Sequence, residues 1–427
     1  MLNQNRWLLN SWALAAAFST YFFMYMFRKP FTAAAFENEG GEGWDSKAVL
    51  VAAQVIGYFC SKLIGIRVIS QMTANKRAIV LLSLIAIAQV ALLIFAVLPR
   101  PWHVAAIFLN GLPLGMVFGL VLGFLEGRRL TEALVAGLCA SFILAGGVAK
   151  SIGQWTLNYL VAEMGCTLQQ AEQWMPFGAG CLFVVPIAIS TWMLSQIPPP
   201  DEQDTKSRSE RVAMTGEDRR LMLQQYGLGL AAVAVFYLLV TILRSLRDDF
   251  APQILSGMGA TVKAVDYSWI DTQVAAFVLL VNGMTSWISG NRAALLFSLI
   301  VSLSGFGLIA GALLSSHQIT PLWFMVLIGA GLYLPYVAVH TTVFERLIAL
   351  TRNRGNMGYL MYVVDSLGYL AYVVILLLPK SALLGEQTAD NAFYHDFREY
   401  CWIGLSLSSV ACIVAIGYFA RLRSNSN

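Results

Sequence analysis

The chain alternates long apolar runs with short polar segments. Twelve of the runs hold about 20 or more residues, and about 20 apolar residues in a helix cross the hydrocarbon core of a bilayer. The pattern therefore predicts twelve transmembrane helices, which we number spans 1 to 12. Their predicted bounds are 11–36, 48–69, 78–98, 102–124, 132–161, 176–197, 221–255, 264–289, 293–315, 320–344, 356–379 and 400–420.

One polar segment stands out by its length and charge. It is "PPPDEQDTKSRSERVAMTGEDRR", residues 198–220, and its proline-led, charged composition is typical of a solvated linker. It separates six spans from six. The fold class expected is an all-α membrane protein with an N-terminal six-helix bundle over 1–197, a linker over 198–220 and a C-terminal six-helix bundle over 221–427.

Lysine and arginine are unequally distributed between the two sides of the membrane. Of the 28 cations, 17 lie on the side that holds both termini and the linker, and 5 lie on the opposite side. Because positively charged loops stay in the cytoplasm, we expect both termini and the linker to be cytoplasmic, in a cell (inner) membrane. The other six cations lie within or near the ends of spans, and they are Arg28, Lys29, Lys62, Lys150, Arg244 and Arg247.

Composition supports the membrane class and excludes several others. Residues are 58% hydrophobic and 12% charged, whereas an average soluble domain is about 25% charged. A net charge of +4 without a basic stripe argues against a nucleic-acid partner. The six cysteines show no C-x-x-C spacing, so neither a metal site nor a cofactor is expected. The sequence shows no nucleophile–base constellation, so an enzyme is not expected.

The two halves repeat their most unusual residues. Tyr21 and Arg28 in span 1 are seven positions apart, and so are Tyr237 and Arg244 in span 7, at an offset of 216. Each arginine lies roughly 13–17 Å from the outer end of its span, near the middle of the bilayer, at 1.5 Å per helical residue. The repeat predicts a duplicated six-span unit, which is common in transporters.

A buried arginine must pair with a carboxylate or face water. Arg28 and Arg244, at equal depth in both halves, would face each other, and their guanidinium groups can bind phosphate or carboxylate oxygens two at a time. Both are candidate substrate-binding residues. Tyr21, Tyr25 and Tyr237 share their helix faces and are candidate cavity walls. The alternatives are an ordinary ion pair for each arginine and ordinary aromatic packing for each tyrosine.

Three short motifs resemble a known family. Span 1 holds "YMFRKPF", span 7 holds "LRSLRDDFAP" and span 2 holds "GYFCSKLIG". They resemble signatures of the organophosphate:phosphate antiporters, which are the glycerol-phosphate and hexose-phosphate transporters of the major facilitator superfamily. The resemblance implies the major facilitator fold, antiport and an organophosphate substrate.

The resemblance also implies roles for individual residues. Arg28 and Arg244 would bind the substrate phosphate, Lys29 would pair with Asp249, and Lys62 would be an auxiliary cation in the cavity. The chain departs from the family at three places, one of which is the loop after span 2, "IRVISQMTANKR", which lacks the usual aspartate–arginine of the superfamily. The histidine that the family often carries in span 5 and the glutamate of its span 8 have no counterpart here, which leaves substrate and coupling open.

Four more polar residues inside spans are candidates. Lys150 is either a third anion contact or the partner of Asp271. Asp365 in span 11 is expected to pair with Lys62, since spans 2 and 11 are neighbours in the superfamily that the chain resembles. His340 in span 10 either couples protons or tunes phosphate binding, or it is a satisfied polar residue without a role in coupling.

The sequence thus favours a secondary active transporter of an organic anion, a phosphate ester or phosphate, which works by alternating access with two arginines clamping the anion. No G-x-x-x-x-G-K motif is present, so ATP is not expected to drive it. Two alternatives remain open: a transporter-like sensor of phosphate esters, and a proton-coupled transporter of another small molecule or lipid. The expected partners are the substrate and membrane lipid, and the expected state is a monomer.

Overall fold

The structure is a computed structural model. It describes residues 6–36, 46–70, 74–125, 131–198, 216–288, 290–351, 357–378 and 392–421. Within these residues every regular element is a helix, and helices occupy each of the twelve predicted spans. Nine helices in the described part of the chain are long and apolar enough to cross a membrane. The chain is therefore an integral, multi-pass membrane protein, as the apolar pattern predicts.

Spans 1 to 6 form the N-terminal half, in which spans 1 and 4 are interrupted. Span 1 continues beyond its α-helix in two 3-10 turns, and span 4 is made of two α-helices. In chain order the elements are Arg6–Met24, Tyr25–Phe27, Pro30–Ala33, Ser46–Ser70, Ala74–Val97, His103–Leu114, Val117–Leu125, Thr131–Ala162 and Leu168–Ser195.

Spans 7 to 12 form the C-terminal half. Span 7 breaks near its outer end, and span 10 contains a π-helical turn between two α-helices. In chain order the elements are Gly216–Asp249, Ala251–Gly257, Ala264–Gly283, Asn291–Leu314, Pro321–Ala338, Val339–Val343, Phe344–Thr351, Met357–Leu376 and Ala392–Arg421. Residues 199–215 of the predicted linker lie outside the described residues, so the boundary between the halves stays a prediction.

Spans 6 and 12 begin about two turns earlier than the apolar pattern predicts. Polar residues occupy those turns, as in "LQQAEQW" after residue 167. The start of span 6 is set by a capping box, in which the Thr167 hydroxyl accepts from the Gln170 N–H (3.3 Å) and the Gln170 side chain accepts from the Thr167 N–H (3.1 Å). Helix ends that project beyond the apolar core are therefore missed by hydropathy alone.

The helices of the two halves pack in one repeated pattern. In the N-terminal half, span 1 packs against spans 4, 5 and 6, span 4 against spans 2 and 3, and span 3 against span 6. In the C-terminal half, span 7 packs against spans 10, 11 and 12, span 10 against spans 8 and 9, and span 9 against span 12. Each of these contacts of the N-terminal half recurs six spans later, as expected for a duplicated six-span unit.

In the described part of the chain, the halves meet mainly along spans 2 and 11 and along spans 5 and 8. A shift of six spans converts one pair into the other. At the second pair the backbones approach closely, because a Cβ added to Gly147 would lie 2.2 Å from the carbonyl oxygen of Tyr267. Small residues allow such close helix contact in a membrane, and here a glycine brings spans 5 and 8 together beside the centre of the molecule.

Candidate functional site

Span 1 loses its α-helical form around Arg28. The chain turns in 3-10 geometry on both sides of this residue, and Pro30, which lacks an N–H, starts the second turn. Side-chain amides of neighbouring spans satisfy the carbonyls that the break leaves free. Gln54 donates to the Arg28 carbonyl (2.9 Å) and Asn110 donates to the Phe27 carbonyl (3.0 Å). These bonds fix the backbone from which the Arg28 side chain projects.

The Arg28 guanidinium is buried against aromatic rings. The residue is 4% exposed, and its Cζ lies 4.1 Å from the ring centre of Tyr58 and 6.0 Å from that of Tyr25. Its Nε has no hydrogen-bond partner, and among the described residues no carboxylate lies within ion-pair distance of it. Cation–π contact compensates part of the desolvation, but a hydrogen-bond donor of the guanidinium remains available.

Arg244 in span 7 has a closely similar environment. It is 7% exposed, and its Cζ lies 4.4 Å from the ring centre of Tyr336 and 5.6 Å from that of Tyr333. Its Nη1 is 3.4 Å from Asp248 Oδ2, a long ion pair. Its Nε also lacks a hydrogen-bond partner within the part of the chain that the structure describes. Each half therefore presents one arginine, supported by tyrosines, with an unused donor.

Both arginines line one cavity between the halves. Its volume is about 20 Å³, which is room for about one water molecule. The lining residues are Tyr25, Arg28, Lys29, Val55, Gly146, Arg244, Ser245, Asp248, Asp249, Tyr369 and Tyr372.

Four predicted substrate-binding residues do not line this cavity in the described structure. Tyr21 packs its ring edge-on against Phe118, with centroids 5.4 Å apart. Lys150 turns back along its own helix and donates to the Gly146 carbonyl (3.1 Å). Tyr237 and Lys62 both contact the carboxylate of Asp365 in span 11, closer to the predicted cytoplasmic side. Of the three predicted tyrosines, Tyr25 lines the cavity. Tyr21 and Tyr237 each lie two helical turns from the arginine of their span and pack against neighbouring helices instead.

An ion pair joins the halves beside the cavity. Lys29 Nζ contacts Asp249 Oδ1, and Asp249 Oδ2 accepts a hydrogen bond from the Tyr372 hydroxyl (2.9 Å). Asp249 is the last residue of its helix in the outward-running span 7. We call this contact the outer ion pair. It joins the two residues that the family resemblance pairs.

A second ion pair joins spans 2 and 11. Lys62 Nζ contacts Asp365 Oδ2, and the Tyr237 hydroxyl donates to Asp365 Oδ1 (3.0 Å). Lys62 lies eight residues before the end of its helix at Ser70, about 12 Å from the predicted cytoplasmic end. We call this contact the inner ion pair. Like the outer one, it combines a lysine of the N-terminal half with an aspartate and a tyrosine of the C-terminal half.

Asp271 pairs with Arg247, so the predicted pairing of Asp271 with Lys150 is wrong. Arg247 Nη2 lies 3.1 Å from Asp271 Oδ1, and Arg247 Nη1 lies 2.8 Å from Asp248 Oδ1. Asp271 Oδ2 has no hydrogen-bond partner among the residues that the structure describes. It lies 3.3 Å from the position of a Cβ added to Gly146, and Lys150 Nζ lies 3.8 Å from the same point. Lys150 therefore acts on this carboxylate through its electric field rather than by contact.

His340 occupies the π-helical turn Val339–Val343 of span 10. Its ring lies 4.4 Å, centre to centre, from the Tyr336 ring and 5.5 Å from the Tyr237 ring. Its Nδ1 is 3.0 Å from the Tyr336 carbonyl oxygen, and its Nε2 is 3.4 Å from the Tyr237 hydroxyl. The histidine thus belongs to the group of side chains around Asp365. Single-turn π-helices are frequent at functional sites.

Sequence reasoning missed the tyrosines that support the charged groups. A signal for them exists, because residues four apart share a helix face. Three polar residues have a tyrosine at that spacing, and the pairs are Tyr58 with Lys62, Tyr336 with His340, and Asp365 with Tyr369. Arg28 has Tyr25, which was predicted, three positions before it. Arg247, which the sequence places within or near the end of a span without a role, is buried, at 2% exposed.

The chain was compared with protein families, with curated protein sequences and with solved structures. The model of a family described as "Family of unknown function (DUF5690)" matches residues 30–422. A comparison with curated protein sequences gave no match. Among solved structures, a D-xylose–proton symporter superposes with a TM-score of 0.64 at 14% identity, over 95% of this chain and 96% of that chain.

Two further solved structures are similar to this chain over nearly its full length. A bacterial homolog of the human lysosomal transporter Spinster, in an inward-facing and unoccupied conformation, gives a TM-score of 0.65 at 11% identity, over 96% of this chain and 97% of that one. The nucleoside transporter NupG gives 0.60 at 13% identity, over 97% and 100%. Likeness over the full length at this identity establishes the fold, which is that of the major facilitator transporters, as the sequence motifs predict.

Proposed function

The chain belongs to the DUF5690 family, and we propose that it is a secondary active transporter of an organic anion. The substrate is a phosphate ester or phosphate, which two central arginines clamp during alternating access. The solved structures that share its fold are named as a sugar symporter, a nucleoside transporter and a Spinster homolog, and this supports transport as the general activity. The family resemblance of spans 1 and 7 supports an organophosphate, with exchange against phosphate.

One observation carries the anion assignment. Arg28 and Arg244 come from equivalent positions of the two halves, line one cavity, and each retain a buried Nε without a partner. Leaving a charged donor unsatisfied in the protein interior is costly, so the arrangement fits a ligand that supplies the acceptors. Guanidinium groups match the oxygens of phosphate in a two-pronged manner.

The charges around the cavity support an anion with about two negative charges. Five cations lie in or next to the cavity, but only three carboxylates accompany them, so two positive charges are left over. A phosphate monoester carries about −1.5 to −2 at neutral pH, which would balance this excess. The cations are Arg28, Lys29, Lys150, Arg244 and Arg247, and the carboxylates are Asp248, Asp249 and Asp271.

The small cavity sets a condition on binding. At about 20 Å³ it admits about one water molecule, and a phosphate ester is far larger. The substrate must therefore enter while the halves are separated on one side. The outer and inner ion pairs each tie one half to the other, and alternate breaking of the two would open the cavity first to one side and then to the other, in a cell membrane with both termini cytoplasmic.

The experiment is exchange in reconstituted vesicles. The purified protein is placed in liposomes preloaded with inorganic phosphate, and uptake of radiolabelled phosphate is measured alone and in competition with a panel of phosphate esters. Replacing Arg28 or Arg244 by lysine keeps the charge but removes the guanidinium fork. Loss of one charge-assisted contact is expected to lower uptake about tenfold to a hundredfold.

A matched control is Arg220→Lys. Arg220 is exposed near the predicted cytoplasmic end of span 7, so its replacement is expected to leave uptake unchanged. Retention of more than half of the wild-type uptake by both Arg28→Lys and Arg244→Lys, for every phosphorylated substrate that the wild type moves, would refute the clamp. Ligand binding without any flux would instead favour the sensor.

A further inference from the structure

The side chains around His340 form a connected hydrogen-bond chain. Nδ1 of His340 donates to the Tyr336 carbonyl, since a carbonyl oxygen only accepts (3.0 Å). The hydroxyl of Tyr237 donates its single hydrogen to Asp365 Oδ1 (3.0 Å). The second oxygen of Asp365 is occupied by Lys62. Each of these three donors therefore has an acceptor.

Counting hydrogens shows that this chain lacks one. A neutral imidazole carries a single N–H, and on His340 it is used by Nδ1. Nε2 is then a bare lone pair, 3.4 Å from the hydroxyl oxygen of Tyr237, whose only hydrogen points to Asp365. Two acceptors thus face each other in a buried site, where His340 is 8% exposed. One added proton on Nε2 turns this contact into a donor–acceptor pair and completes the chain.

The same chain touches both parts of the proposed transport machinery. On one side the ring of Tyr336, 4.4 Å from the His340 ring, also carries the Arg244 guanidinium at 4.4 Å. On the other side Asp365 holds Lys62 of the opposite half. A positive charge on His340 would compete with Lys62 for the negative charge of Asp365. Protonation therefore weakens the inner ion pair, the contact that closes the predicted cytoplasmic side.

We propose that His340 Nε2 binds a proton that crosses the membrane together with the anion, so that this protein couples anion movement to protons. The inference rests on the proposed anion transport and names its coupling ion. The proton comes from water on the side where the halves are open, occupies the Nε2 lone pair, and returns to water on the opposite side. No covalent bond other than N–H forms or breaks.

The position of the histidine favours it over other titratable groups as the carrier of this proton. Asp365 already accepts from Lys62 and from Tyr237, whereas Nε2 has an unused lone pair. Asp365 and the Tyr336 carbonyl favour a proton on the histidine, whereas burial, Lys62 and Arg244 oppose it. The charged and titratable groups that face it from spans 2, 7, 10 and 11 are Lys62, Tyr237, Arg244, Tyr336 and Asp365.

The experiment uses the full chain in liposomes, with inorganic phosphate as the probe. One arm measures exchange of radiolabelled phosphate at equal pH on both sides. The other arm measures accumulation when the lumen is made alkaline by about one pH unit, which supports about tenfold accumulation per coupled proton. We expect wild-type accumulation that a protonophore abolishes. In His340→Gln we expect exchange to persist within about threefold of wild type and accumulation to fall to about the equal-pH level.

The controls separate the possible failures. His317→Gln removes an exposed histidine of the same half and should accumulate like wild type, and it also corrects for the pH dependence of phosphate itself. If His340→Gln loses exchange too, Tyr237→Phe decides, since it removes the oxygen that protonated Nε2 would meet. Undiminished accumulation in either variant overturns the proton site and leaves anion transport standing. Absence of exchange in the wild type overturns anion transport, and the proton site falls with it.

Discussion

Breaking the outer ion pair from one side is expected to cost more than removing it altogether. The side chains of Lys29 and Asp249 are 11% and 2% exposed, so neither charge can be solvated where it lies. Asp249→Leu leaves Lys29 unpaired beside Arg28, and Lys29→Met leaves Asp249 with Tyr372 alone. Removing one partner of a buried pair costs about 3–5 kcal/mol. The free energy of unfolding should fall by that amount in each single variant.

The double variant Lys29→Met/Asp249→Leu leaves no unpaired charge in the interior. Both charges are gone, and the main remaining loss is the hydrogen bond of the Tyr372 hydroxyl, about 1–2 kcal/mol. It should therefore be more stable than either single variant, although adding the single effects would give about 6–10 kcal/mol of destabilisation. The sign of this difference is the test.

Reversible unfolding of the purified protein in mixed micelles is followed by tryptophan fluorescence. It gives the free energies of unfolding of the wild type, the two single variants and the double variant, which together form a double-mutant cycle. A matched control combines Lys29→Met with Ser83→Ala, at an exposed site of span 3, and should be additive within about 0.5 kcal/mol. If the two single effects add in the Lys29/Asp249 double variant, or if Asp249→Leu alone costs less than about 1 kcal/mol, the pair is not the buried tie described above.

Three further changes test the packing around the site. Gly147→Ala puts a Cβ 2.2 Å from the Tyr267 carbonyl, so spans 5 and 8 must separate and the melting temperature should fall, whereas Gly311→Ala, which meets no atom within 4 Å, should not lower it. Asn110→Ala removes a donor from the Phe27 carbonyl and should cost about 1–3 kcal/mol and weaken phosphate binding in a thermal-shift titration; unchanged binding would contradict its positioning role. Thr167→Ala removes a helix cap and should cost about 1 kcal/mol in the same unfolding assay without altering uptake.

Local pattern was sufficient for the architecture because a membrane helix carries its own signal. Each span needs about 20 apolar residues and makes its backbone hydrogen bonds internally, so composition predicts it without knowledge of its neighbours. The duplication is equally visible, since Arg28 and Arg244 are too costly in lipid to recur at one spacing by chance. The starts of spans 6 and 12 were missed because the polar caps that set them lie outside the apolar signal.

The candidate site was predictable as a set of charges, and the family resemblance also indicated two of its ion pairs, Lys29 with Asp249 and Lys62 with Asp365. The sequence indicates that Arg28 and Arg244 are central, but not that Tyr58 and Tyr336 support their guanidinium groups. It offered Lys150 as a partner of Asp271, and the structure places Arg247 there instead. Such choices depend on which long side chain reaches across a helix pair, and reach is decided by helix rotation and backbone breaks that no local pattern encodes.

The sequence by itself determined the twelve spans and the duplicated six-span unit, because both follow from the cost of placing a residue type in hydrocarbon. Only the tertiary structure decided that Asp271 meets Arg247, that the two arginines share one cavity with unused donors, and that His340 lies beside Tyr237 and Asp365. The physical reason is that transfer energy is a property of one residue, whereas a hydrogen bond requires two groups within about 3 Å, and the packing of separate helices alone brings them there.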